Sequence, residues 1–299
     1  MSEGSSANSY GKKQAAAAAF QFLSRFPVRM QLDFAPPLLR ESVVYYPLVG
    51  AAIGLAVWLG GALFGTVLPA LPAAVLTLTL WVWLTGGLHL DGWMDTADGL
   101  LSYRSRERML EIMKDSRVGA MGVIACVLLL MMKAALLADF IAQGRWAYVP
   151  LLILPMIWSR WFMVCAISGW PNARADDGLA VLFAGLGERR ELRRATARAA
   201  WLTVVAGLIA LVAAWYTQPH HSLIGGGMSG HSWWLYPVLA AMLLPLVCHL
   251  LGRWVAGRIS NRLGGLTGDT YGAMNELLET ALLIVLSLLQ GLFWTLFAN

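Results

Sequence analysis

Apolar residues gather into seven runs of about 18 residues or more, at 47–67, 70–88, 118–141, 147–168, 199–216, 233–251 and 277–297. A helix of that length crosses a hydrocarbon core of about 30 Å, so each run predicts a membrane span. Proline, glycine and polar clusters punctuate them, as in "LPALPA" at 68–73, "GWPNARADDG" at 169–178 and "TQPHHSLIGGGMSGHS" at 217–232. The piece "QAAAAAFQFL" within 14–26 is too short to cross and predicts an interfacial or re-entrant helix. Residues 102–116 set Met109, Leu110, Ile112 and Met113 among charges, the pattern of an amphipathic helix on the membrane surface. The fold class that follows is all-α: a polytopic integral membrane bundle of about seven transmembrane helices plus interfacial helices. Residues 1–13 read as a disordered tail and 14–299 as a single membrane domain, with no internal repeat.

Composition agrees, with 58% hydrophobic and 13% charged residues among 299 and a mean hydropathy of +0.63. That balance excludes an ordinary soluble domain. The net charge of +5 is explained by where the charges fall, and nucleic acid is not an expected partner. Lys and Arg concentrate before the first span and in the segments 89–117, 169–198 and 252–276. The positive-inside rule therefore places the N-terminus and these three segments in the cytoplasm and the last residue outside. Cys126, Cys165 and Cys248 stand apart in apolar runs, which fits neither a zinc site nor a disulfide framework. No cleavable signal is read at the N-terminus.

Chemistry concentrates in "LTGGLHLDGWMDTADG" at 84–99. If the span from residue 70 continues as a helix, Asp91, Asp95 and Asp98 stack on one face at i, i+4 and i+7. Three carboxylates so placed repel one another unless a cation sits among them, and hard oxygen donors suit Mg²⁺ or Mn²⁺ shared with substrate phosphate. A solvated rim closing a helix is the plainer alternative. Basic residues follow, among them Arg104, Arg106, Arg108, Lys114 and Arg117, fit to hold phosphates or simply to orient the chain. In "GGLTGDTYGA" at 264–273 the glycines permit a tight loop whose amides face phosphate oxygens around Thr267 and Gly268, and Asp269 is either a functional acid or a helix cap. Lys133 and Arg160 fall inside apolar runs, where a charge is costly unless paired, and so count as functional candidates. His89, two residues before Asp91, is a candidate base, phosphate contact or orienting residue, or a structural histidine.

Five segments together resemble the cobalamin synthase family of adenosylcobinamide-GDP ribazoletransferases: "FLSRFPV" at 22–28, "YYPLVGAAIG" at 45–54, the aspartate segment, "RERMLEIMKDSRVGAMG" at 106–122 and "GGLTGDTYGA". The likeness runs from about residue 20 to about residue 290. It implies a multi-pass protein of the cell inner membrane with a cytoplasmic active site and a Mg²⁺ requirement. The reaction it implies joins adenosylcobinamide-GDP to α-ribazole or its 5'-phosphate, with release of GMP. On that basis Asp91, Asp95 and Asp98 are expected to hold Mg²⁺, with Asp115 or Asp269 completing the set. Asp269 or His89 is expected to take the hydroxyl proton, and Arg104, Arg117, Lys133, Arg160, Thr267 and Gly268 to contact phosphates. Expected partners are the two substrates and the lipid bilayer, with a homo-oligomer and contact with other nucleotide-loop enzymes left open.

Two other readings of the aspartate segment fit the sequence less well. The CDP-alcohol phosphatidyltransferases also set aspartates at a helix end, but their D-x2-D-G-x2-A-R pattern is absent here. A cation-coupled transporter would place its acids near the membrane midplane on paired broken helices, which the sequence does not show.

Overall fold

The computed structural model describes residues 11–143, 151–174, 189–217 and 234–297. Residues 1–10 of the tail expected at 1–13, and most of the glycine- and histidine-rich segment at 217–232, lie outside them. In chain order the helices are α1 (Lys12–Leu23), α2 (Pro36–Ser42), α3 (Tyr46–Val67), α4 (Ala70–Thr85), α5 (Leu88–Leu101), α6 (Arg106–Ile112), α7 (Ala120–Ala142), α8 (Ile153–Gly169), α9 (Arg189–Thr217), α10 (Leu235–Leu263) and α11 (Gly268–Phe297). A 3-10 turn, Val43–Tyr45, joins α2 to α3. Among the described residues the one β pairing is an isolated bridge between Asn172 and Leu266.

Every predicted span has its helix, but they are not equivalent. Five are long and apolar enough to cross a membrane alone: α3 with the helical residues from Pro36, then α7, α9, α10 and α11. The seventeen residues of α8 reach only about 25 Å. Almost all of its side chains are buried, because α3, α9, α10 and α11 pack around it as the central post. Leucines, tryptophans and methionines face outward on α3, α7, α9 and α10 (Leu63, Leu128, Trp201, Met242). In water such a surface would aggregate; in lipid it is the expected exterior.

The run at 70–88 departs from expectation. The span from residue 70 does not continue through the aspartates: α4 ends at Thr85, Gly86 and Gly87 take left-handed φ of 67° and 74°, and α5 leaves at 90°. Glycine alone adopts two successive left-handed residues without a Cβ clash, so this break is written in the "GG" of "LTGGLHLDG". The aspartates thus lie on a separate helix that crosses the end of the bundle. Smaller shifts are that α1 begins at Lys12, inside the expected tail, and that the surface helix contracts to Arg106–Ile112. Ser105 caps the latter by accepting from the Arg108 amide at 3.4 Å.

Candidate functional site

α5 rests directly on the first turns of α11. A Cβ on Gly92 would lie 2.5 Å from the Asp269 carbonyl oxygen, and one on Gly272 would lie 3.2 Å from the His89 Cα. These glycines let two backbones nearly touch, which brings Asp269 into one field with the acids of α5 despite their distance in sequence. Asp95 feels the charges of Asp91, Asp269 and Asp98, with Arg174 opposing them. Between α1, α3, α5, α8 and α11 lies a small cavity of about 80 Å³ whose walls include Tyr46, His89, Asp91, Gly268, Asp269 and Tyr271.

The loop before α11 is tied down on several sides. Thr267 and Thr270 exchange hydrogen bonds: the Thr267 amide donates to Thr270 Oγ1 at 2.8 Å and the Thr270 amide to Thr267 Oγ1 at 3.3 Å. Thr267, and not Asp269, therefore caps the helix. Leu266 pairs with 171–173, its amide donating to the Pro171 carbonyl at 2.8 Å and its carbonyl accepting from Ala173 at 2.9 Å. That bridge carries Arg174 to within 3.3 Å of Asp269 Oδ2. Arg106 closes the third side, donating to the Leu263 carbonyl at 2.7 Å and to the Ala173 carbonyl at 3.4 Å. The three basic segments that loop charge assigns to one face are thus joined around one site.

Not every expected residue joins it as expected. Asp98 accepts from the Gly119 and Gly122 amides, each at 2.7 Å, and so anchors the start of α7 with both of its oxygens. Asp115 is held by Arg117 in an exposed bridge at 2.6 Å, which keeps its carboxyl down at about 2. Each of that pair satisfies the other. Arg104 is exposed in the turn after α5.

Lys133 and Arg160 lie inside the bundle, 2% and 0% exposed, and bind two acids that sequence reasoning missed. Lys133 Nζ donates to Glu276 Oε2 at 2.6 Å and to Glu279 Oε2 at 2.7 Å, with the Trp81 ring 4.2 Å away, and Arg160 donates to Glu279 Oε1. Both cations lie against carboxylates, while Arg160 Nε and Nη2 have no hydrogen-bond partner among the described residues. A signal exists: two cations in apolar runs require acids, and Glu276 and Glu279 sit at helical spacing across the start of the run at 277–297. At a span's end they read as a polar rim, whereas α11 begins at Gly268 and carries both inside the bundle. Arg174 and Asn275 were also missed as site residues, since their roles depend on tertiary pairings that no local pattern announces; Arg106, a phosphate candidate by sequence, is turned instead to the Leu263 and Ala173 carbonyls.

Among the described residues no three His, Cys, Asp or Glu side chains converge closely enough to hold an ion unaided. The donors in the shared field are nonetheless carboxylates with an excess of negative charge. That fits Mg²⁺, which takes a few carboxylates and draws its remaining oxygens from phosphate and water.

Comparison with known proteins adds the chemical context. The sequence model of the cobalamin-5-phosphate synthase family matches residues 15–287. A Brevibacillus brevis protein named adenosylcobinamide-GDP ribazoletransferase is 39% identical over 278 residues, covering 92% of this chain and 97% of its own. Proteins of the same name from Desulfitobacterium hafniense and Pseudomonas fluorescens are each 39% identical, covering 89% and 90% of this chain and 93% and 97% of their own. No solved structure matches.

Proposed function

Because the chain belongs to the cobalamin-5-phosphate synthase family, we propose that it joins adenosylcobinamide-GDP to α-ribazole or its 5'-phosphate at the α5–α11 crossing. The chain is a transferase of cobalamin synthesis and a multi-pass membrane protein. In the proposed reaction a ribose hydroxyl oxygen attacks the phosphorus that carries adenosylcobinamide. The bond to the GMP oxygen breaks, the hydroxyl proton passes to a base, and GMP leaves with the electron pair. Such displacement needs aligned groups and neutralised charge more than a covalent nucleophile.

The observation that carries this reading is that Asp91 and Asp269 line one cavity where α5 crosses α11, with Asp95 close enough to feel both charges. Those three carboxylates would hold Mg²⁺, which when bound polarises phosphoryl oxygens and offsets charge on the leaving group. Asp98 supports them from behind by fixing α5 to α7. Arg174 restrains Asp269 and offers a cation beside the cavity, while the Gly268 amide opens the first turn of α11 toward anionic oxygen. Asp269 and His89 both border the cavity and are the two candidates for the hydroxyl proton. The cytoplasm is the proposed side for this face, and the inner membrane the proposed location, because the basic segments crowd there.

The test is GMP release by detergent-purified protein given adenosylcobinamide-GDP with and without α-ribazole. Release that needs both α-ribazole and Mg²⁺ is expected, with Asp91→Asn, Asp95→Asn and Asp269→Asn each lowering kcat at least about 100-fold, the scale for loss of one transition-state contact. Near-normal turnover in all three variants would refute the metal-holding roles, and release without α-ribazole would refute the transferase reading.

A further inference from the structure

His89 is 1% exposed and sits between the cavity and the buried charges. Its Nδ1 lies 3.1 Å from Asn275 Nδ2, and the direction of that hydrogen bond is fixed from the far side. Asn275 Nδ2 also donates to Glu279 Oε1 at 3.2 Å. Glu279 is itself held by Arg160 and by Lys133. A carboxylate engaged by two cations offers only acceptors, so the amide must turn its NH2 toward it. The opposite orientation would set Asn275 Oδ1 against a carboxylate oxygen. The amide has two N–H groups; one serves Glu279 and the other reaches His89. Nδ1 must then accept, and an imidazole that accepts at Nδ1 carries its proton on Nε2. Nε2 is buried and has no partner among the described residues.

We propose that Asn275 is a positioning residue that holds His89 in its Nε2–H tautomer, so that His89 meets the substrate as a hydrogen-bond donor to a phosphoryl oxygen. This rests on the transferase reading above and deepens it. His89 is thereby removed from the two candidates for the hydroxyl proton, which leaves Asp269. The inference also gives the buried charges a purpose: the cations orient Glu279, Glu279 orients Asn275, and Asn275 orients the imidazole.

The tautomer is read directly from two-bond ¹H–¹⁵N correlations of protein labelled with ¹⁵N-histidine in lipid nanodiscs, the His89 signal being the one lost in His89→Gln. A protonated Nε2 with a bare Nδ1 is expected; a protonated Nδ1 would overturn the proposal. In Asn275→Leu a mixture of tautomers is expected, and an unchanged spectrum would remove Asn275 from its role. Should Asn275→Leu fail to fold, the wild-type spectrum still decides. Kinetics give an independent arm, because glutamine places an N–H near the Nε2 position yet cannot accept a proton as a base. His89→Ala should lower kcat by about 10²–10³-fold, the cost of one lost donor, and His89→Gln should recover at least about tenfold of that loss. Equal losses in the two variants would overturn the donor role. A donor tautomer in protein that releases no GMP would uphold the hydrogen-bond chain and sink the transferase reading instead.

Discussion

Lys133 shows how much a single residue depends on its partners. Its ammonium lies about 20 Å along α7 from the first residue of that helix, between two carboxylates and an indole ring. Replacing it by methionine leaves Glu276 without a cation and Glu279 with Arg160 alone, and breaking such a buried pair costs about 3–5 kcal/mol. Lys133→Met is therefore expected to lower the unfolding temperature in detergent markedly, with an unchanged KM for adenosylcobinamide-GDP in whatever folds. Adding Glu276→Gln should restore part of the stability, since it removes the acid left bare. A raised KM at full stability would show instead that Lys133 contacts phosphate. Sequence alone brought out Asp91, Asp95 and the cations because ionisable residues are rare in apolar runs and helical spacing is local. It could not show that Lys133 and Arg160 pair with Glu276 and Glu279, or that Asp98 is committed to the Gly119 and Gly122 amides, since those pairings join different helices.

Among elements, the decisive feature is the break between α4 and α5. The seven runs and their order were legible as periodless apolar stretches, and each became a helix. The turn of 90° was not, although its cause was in view: two adjacent glycines just ahead of the acids. Nothing lies within 4 Å of a Cβ built on Gly87, so Gly87→Ala isolates the backbone cost of a left-handed residue, about 1–2 kcal/mol. A folded but less stable protein is expected, read by its thermal midpoint; full stability would show that the break does not depend on that conformation. Gly92→Ala tests the crossing itself. The added methyl group would meet the Asp269 carbonyl oxygen at 2.5 Å and must push α5 from α11. Activity should fall at least about tenfold, with more Mg²⁺ needed for half-maximal rate, because a displacement near 1 Å at reacting groups costs up to about 100-fold. Unchanged Mg²⁺ dependence would mean that Asp269 does not act together with the acids of α5.

At the scale of the whole molecule, all the parts of the site come from one end of the bundle. α3, α7, α9 and α11 run away from that end, while α4, α8 and α10 run back toward it. The segments that return there carry Arg106, Arg174 and Arg262, and the proposal that this end faces the cytoplasm rests on that charge. Substrates assembled from nucleotides would meet the site from that side. A topology experiment separates this arrangement from its inverse. In protein whose Cys126, Cys165 and Cys248 are replaced by alanine, a single cysteine is placed at Ser105, which caps α6 beside the site, or at Thr66, exposed near the far end of α3. With a membrane-impermeant maleimide added to intact spheroplasts, Thr66→Cys should label at once and Ser105→Cys only after the membrane is opened. Immediate labelling at Ser105 with protection at Thr66 would invert the protein, place the acids outside, and leave the proposed reaction without access to a cytoplasmic nucleotide pool.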